Sequence, residues 1–143
     1  MFFGTHMPKL DEKGRLVIPA KYRQALAQGV VITKGQDRCL YLFPIAQFEE
    51  LAQRIQSAPM TSKNIREYQR LFLAAASDEI PDKQNRLTIP PILREYAGLD
   101  RDLVVTGVGS RLEIWDANAW NEYEAAHIDA YSELAEEVVE GSF

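Results

Sequence analysis

The chain has 143 residues, 46% of them hydrophobic, with one cysteine and a formal net charge of −5. One cysteine excludes an intrachain disulfide framework, and no apolar run approaches the roughly 20 residues of a membrane span. The net charge would argue against an anionic partner, but residues 1–112 hold all 16 basic and 12 of the 21 acidic residues, whereas residues 113–143 hold nine acidic residues and no Lys or Arg. A basic body (+4) with an acidic end (−9) leaves such a partner open, because local potential recruits it.

From the first residues onward, Met1-Phe2-Phe3-Gly4-Thr5-His6 lacks the basic start and long apolar stretch of a secretory signal, so a cytoplasmic protein is expected. A strand then enters the segment Leu10-Asp11-Glu12-Lys13-Gly14-Arg15-Leu16-Val17-Ile18-Pro19, which returns as Pro81-Asp82-Lys83-Gln84-Asn85-Arg86-Leu87-Thr88-Ile89-Pro90. Asp11, Arg15, Leu16, Ile18, Pro19 and Arg23 align at one offset with Asp82, Arg86, Leu87, Ile89, Pro90 and Arg94. The likeness continues from Val31-Ile32-Thr33 to Val104-Val105-Thr106, and from Phe43 and Phe48 to Trp115 and Trp120. Two copies of one supersecondary unit follow, residues 1–58 and 74–143, joined by a connecting segment and helix at 59–73. Halves of about 70 residues are marginal alone, so they should share a core or oligomerise.

In each copy Asp-x-x-Gly/Asn forms a turn, with Gly14 and Asn85 in the place that favours φ > 0. Arg-Leu-Val/Thr-Ile alternates as a half-buried strand, and Pro19 and Pro90 open short helices over 20–26 and 91–97. Two strands follow, joined near residues 35–38 and 107–111. Cys39 falls in the run Cys39-Leu40-Tyr41-Leu42-Phe43 and reads as a packed thiol. Phe48, Leu51, Ala52 and Ile55 mark one face of a longer helix. Ile65, Tyr68, Leu71/Phe72 and Ala75 mark a connecting helix that Ser62 can cap. Trp120, Tyr123, His127, Ala130/Tyr131, Leu134 and Val138 mark a last helix, whose stripe is expected to be intramolecular core rather than partner surface. Residues 137–143 look frayed.

Catalytic chemistry has little support. The chain lacks a P-loop and a dinucleotide fingerprint, and His6, His127 and Cys39 do not have metal-site spacing. No cofactor and no metal site are expected. The repeated turns, however, carry Lys13-Gly14-Arg15 and Lys83-Gln84-Asn85-Arg86, with Lys9, Lys21 and Arg23 near the first and Arg94 after the second. A two-stranded ribbon bearing Lys and Arg fits a DNA major groove, where arginine pairs bidentately with guanine or phosphate and lysine acts mainly as a point charge. The bland reading is that Asp11 and Asp82 merely close their turns by ion pairs to Arg15 and Arg86. The two readings can coexist, with Asp orienting Arg. For Arg23 and Arg94 a structural or intersubunit pairing is at least as good as DNA contact.

The paired Asp-x-x-x-Arg elements resemble the MraZ family of bacterial transcription regulators. Met1-Phe2-Phe3-Gly4, Lys13-Gly14-Arg15-Leu16, Ile18-Pro19 and Tyr22-Arg23 are similar to that family's opening, and Leu93-Arg94-Glu95-Tyr96-Ala97-Gly98-Leu99 and Glu113-Ile114-Trp115 to its second half. The resemblance implies an α+β fold in which two pseudo-symmetric SpoVT/AbrB-like β-hairpin/helix repeats form one compact double-hairpin, barrel-like unit with flanking helices. It further implies a nucleoid-associated, ring-shaped homo-oligomer, an octamer, and no membrane partner. This ring would bind double-stranded DNA at short direct repeats in the promoter of the division and cell wall gene cluster, and repress that cluster and its own gene. The DNA-contacting positions then fall on Lys13, Arg15 and Arg86, with Lys83 and Lys9 alongside, and Asp11, Gly14, Asp82 and Asn85 form and orient the turns. Gln84-Asn85 depart from Lys13-Gly14, so the second turn is expected to contact bases, to contact phosphates, or only to support the hairpin. The alternative function is a noncatalytic, oligomeric protein-interaction module of the same fold.

Overall fold

Alternation in the repeated segments makes Leu16 and Leu87 inward-facing, and the computed structural model, which describes residues 1–134, shows what they face. Strands β2 (Arg15–Val17) and β6 (Arg86–Thr88) pair antiparallel with each other, Leu16 opposite Leu87, Arg15 opposite Thr88 and Val17 opposite Arg86. The ribbon that carries the arginines is therefore made between the two halves, not within either one.

The other six strands form an antiparallel sheet. In chain order they are β1 (Phe2–His6), β3 (Val30–Lys34), β4 (Leu40–Pro44), β5 (Ser77–Glu79), β7 (Leu103–Gly109) and β8 (Leu112–Asp116). Their spatial order is β1-β7-β8-β4-β3-β5. Matching β1 with β5, β3 with β7 and β4 with β8 makes this order read the same from either end. Each half thus lends its first strand to the other half's β-hairpin. The β1–β7 pairing needs glycine at 107, since a Cβ there would lie 2.3 Å from the Phe3 backbone nitrogen.

One face of the sheet meets the ribbon. Val30, Ile32, Leu40, Leu42, Leu103, Val105, Leu112 and Ile114 share a single core with Leu16, Ile18, Leu87 and Ile89, so both halves bury the same apolar surface. The short helices close this layer. A 3-10 turn (Ala20–Tyr22) leads into α1 (Arg23–Leu26), and α4 (Pro91–Ala97) ends at Gly98 in the left-handed conformation. Each follows a proline whose fixed φ suits a helix start. The α+β class and the two-repeat architecture hold.

The opposite face of the sheet carries the longer helices α2 (Ile45–Gln56), α3 (Lys63–Leu73) and α5 (Ala117–Glu133). Ser62 caps α3, its hydroxyl accepting from the Ile65 N–H at 3.4 Å. Phe48 of α2 packs on Phe43 and stacks with Phe72 of α3, and the Thr33 hydroxyl donates to the Phe72 carbonyl at 2.6 Å. In the other half, Trp120 and Tyr123 of α5 surround Trp115, whose cluster includes Cys39 and Val104. Cys39 is buried as expected, and burial, reinforced by Glu113 and Asp37, pushes its thiol far above the ordinary value and out of nucleophilic range.

The stripe on the last helix does not become core. From residue 121 to 134 every position is exposed, including Tyr131 at 69% and Leu134 at 55%. Only the first turns of α5 find apolar surface, through Ala117, Ala119, Trp120 and Tyr123 around Trp115. His127 stacks on Tyr123 and its Nδ1 meets the Tyr123 carbonyl at 2.6 Å, an exposed local contact rather than a packed one. Val138 and the stretch 137–143 lie outside the described residues. No described helix is long and apolar enough to cross a membrane.

Leu87→Ala should lower unfolding stability by about 2–5 kcal/mol, because the cavity opens under the ribbon where both halves meet. Urea denaturation measures this, with a single transition for the whole chain expected.

Candidate nucleic-acid interface

Each turn is organised by one carboxylate. Asp11 Oδ1 accepts from the backbone N–H groups of Lys13 and Arg15, both at 2.9 Å, and Oδ2 accepts from Arg15 Nε at 2.8 Å. The Asp11 carbonyl accepts from the Gly14 N–H at 3.0 Å. Asp82 repeats the arrangement with Gln84 and Arg86 at 2.9 Å, Arg86 Nε at 2.8 Å and Asn85 N–H at 2.9 Å. Gly14 and Asn85 sit at φ 77° and 59°, the left-handed conformation that closes the turn. Both carboxyls are held below the ordinary carboxylate value, first by the backbone N–H of Arg15 or Arg86 and then by the arginine side chain.

Anchoring at Nε determines what remains of each arginine. Nη1 and Nη2 of Arg15 and Arg86 have no hydrogen-bond partner among the described residues, so the outer edge of each guanidinium is available as a donor fork. The register places Arg15, Val17, Arg86 and Thr88 on the outer face of the ribbon. Diagonal neighbours in such a pair are about 7–8 Å apart, so the two arginines form one patch. The turns are also tied to each other. Ile18 N–H donates to the Asn85 carbonyl and Ile89 N–H to the Gly14 carbonyl, both at 2.8 Å.

Lys13 and Lys83 are exposed on the two turns, at opposite ends of the ribbon. Lys9 is not on the ribbon. It forms a β-bridge with Asp102 and lines a groove with Glu12, Asp100 and Arg101 beside the first turn. Arg23 and Arg94 are tied to the backbone, their Nε atoms donating to the Ile18 and Ile89 carbonyls at 2.9 and 3.0 Å. Arg94 also crosses to the first turn: a Cβ on residue 14 would lie 2.7 Å from its Cζ. Within this chain, glycine at 14 serves both the positive φ and the approach of Arg94.

Sequence reasoning missed Val17 and Thr88. Val17 is apolar yet 46% exposed, and it flanks Arg86 as Thr88 flanks Arg15. The period-2 alternation that turned Leu16 inward carried the signal, since it turns Val17 outward.

The MraZ family profile, described as "MraZ protein, putative antitoxin-like", matches the chain twice, over residues 1–71 and 72–140. A protein of Thermobifida fusca called "Transcriptional regulator MraZ" is 59% identical over 141 residues, 99% of either chain. Relatives of the same name from Clavibacter michiganensis subsp. michiganensis and Micrococcus luteus are 57% and 53% identical over 143 residues, the full length of both chains.

The aspartates provide a test of the turns by pH. A depressed folded value means their contribution to stability is complete above the unfolded value, near 3.8, and is lost as pH falls through the folded one. The difference in melting temperature between wild type and Asp11→Asn/Asp82→Asn should be constant above about pH 5 and shrink below pH 4. A gap that instead changes between pH 6 and 8 would mean that other groups hold the turns.

Proposed function

The chain belongs to the MraZ family of transcriptional regulators, and from that footing we propose that it is a sequence-specific, noncatalytic DNA-binding repressor. Its target is the promoter of the division and cell wall gene cluster, its own gene included, where it binds short direct repeats. It works in the cytoplasm, on the nucleoid, as a ring-shaped homo-oligomer, an octamer. The observation that carries the DNA reading is the outer face of the ribbon, where Arg15 and Arg86 lie side by side with their Nη groups free.

A two-stranded ribbon enters the major groove of B-DNA, and an arginine fork matches O6 and N7 of guanine. Asp11 and Asp82 act by orientation: a guanidinium already fixed at Nε loses less rotamer freedom when it binds. Lys13 and Lys83 stand where phosphates flank the groove and supply charge without sequence information. Arg94, against Gly14, adds positive charge beside the first turn. Lys9 contributes less than the turn lysines, since Asp100 and Glu12 share its groove. The two turns present their lysine at different positions, Lys13 where the second has Gln84 and Lys83 where the first has Glu12, so they read unequally.

One ribbon neutralises few phosphates, so a lone subunit binds weakly. Repeated ribbons on one assembly gain by effective concentration over regularly spaced sites. This links the direct repeats to the oligomer.

A gel shift on DNA upstream of the protein's own gene, against scrambled competitor, tests the reading. Arg15→Ala should weaken specific binding by about 5- to 150-fold, the equivalent of 1–3 kcal/mol for one lost bidentate contact. Its mass in solution should not change. Lys13→Ala should weaken specific and scrambled DNA alike and reduce the log–log salt slope by about 0.9 per ribbon engaged. Wild-type promoter affinity in Arg15→Ala would remove the ribbon from DNA recognition.

A further inference from the structure

The two halves match strand for strand, but their outer helices do not. In the first half the apolar face of α2 is closed by α3: Phe48 stacks on Phe72, Phe72 on Tyr68, and the Gln69 amide donates to the Ile55 carbonyl at 2.9 Å. In the second half α5 takes the place of α2, with Trp115 and Trp120 standing for Phe43 and Phe48. Among the described residues no helix stands to α5 as α3 stands to α2. The stripe of Trp120, Tyr123, His127, Ile128, Tyr131 and Leu134 borders an open apolar groove of about 340 Å³. Water is a poor neighbour for this face, and an apolar surface of this kind marks an interaction site.

Charge selects the occupant. The described part of α5 carries Glu122, Glu124, Asp129 and Glu133 and no Lys or Arg. A second α5 laid against it would bring four more carboxylates to the same seam. The α3 side of the molecule has the opposite character. Tyr68, 39% exposed, stands between two grooves: one of about 450 Å³ with Tyr41, Arg54 and Arg111, the other of about 180 Å³ with Lys34, Leu71 and Tyr96. Arg111 is paired with Glu113 at 2.8 Å, which leaves Arg54 and Lys34 against the single lining carboxylate, Glu50. Leu71 is 62% exposed beside them.

We propose that α5 of one subunit docks on the Tyr68–Leu71 face of α3 in a second copy of this chain, head to tail. The proposal rests on the homo-oligomer reading above and names its contact. Because the two surfaces differ, the contact is heterologous, and repeated with closing rotation it makes a ring. α5 and the Tyr68–Leu71 face of α3 lie on the helix-bearing side of the sheet, where only Tyr96 of α4 reaches the groove from the ribbon side, so the contact leaves Arg15 and Arg86 free.

Analytical ultracentrifugation of the full chain tests the contact. Wild type should sediment as an oligomer. Ile128→Glu/Tyr131→Glu should sediment as single chains with an unchanged circular dichroism spectrum, since both side chains are exposed in the subunit. The charge reversals Glu124→Lys/Asp129→Lys on α5 and Lys34→Glu/Arg54→Glu on the grooves should each dissociate the assembly. Mixing the two reversed proteins should restore it, because each helix then meets a groove of opposite charge. A monomeric wild type overturns the proposal, as does an oligomer that survives Ile128→Glu/Tyr131→Glu. Dissociation by the α5 variants without any effect of the groove reversal also overturns it, in favour of α5 against α5. Arg15→Ala keeps the two readings apart: it should weaken promoter binding with the oligomer's mass unchanged, whereas loss of the docking contact lowers the mass and weakens promoter binding with it.

Discussion

Leu16 and Leu87 lie opposite each other on strands of only three residues, and most of the molecule depends on that pairing. A ribbon so short has no independent stability. It persists because its inner side chains enter the core that both halves build against the six-stranded sheet. Neither half can bury its own motif, so the repeats fold as one body. The same pairing puts Arg15 and Arg86 on a common outer face and the two turns at opposite ends. The reciprocal bonds from Ile18 to Asn85 and from Ile89 to Gly14 lock the turns to the ribbon.

On this rigid base the aspartates do local work. One carboxylate accepts three hydrogen bonds in each turn, closing the backbone and holding the arginine by Nε. The choice between an arginine that closes a turn and an arginine that faces a ligand is thereby removed: Nε serves the turn and the Nη atoms remain for a partner. A two-fold patch would treat a DNA sequence and its reverse complement alike. Lys13 against Gln84, Gly14 against Asn85 and Val17 against Thr88 break that equivalence, so the patch has a direction along the duplex, as the proposed binding to direct repeats requires.

The departure from symmetry is larger on the far side of the sheet. α2 and α3 shield each other, whereas α5 runs past the edge of its apolar support. Periodicity alone places Trp120, Tyr123, His127, Tyr131 and Leu134 on one face, and an amphipathic face ordinarily lies on the core. Where a helix leaves the sheet is not a property of its own residues. It depends on how far β8 and its neighbours extend beneath it.

The sequence by itself determined the repeat, the Asp-to-Arg turns, the left-handed positions at Gly14 and Asn85, the proline-started short helices, the Ser62 cap and the burial of Cys39. All of these arise from contacts within a few residues or from local alternation, which the chain carries wherever it folds. Only the tertiary structure decided that β2 pairs with β6, that β1 and β5 are exchanged between halves, that Arg94 rests on Gly14, and that α5 stands uncovered. Those outcomes join segments some seventy residues apart. At that separation the partner is chosen by which arrangement buries one shared core, and no local pattern records the choice.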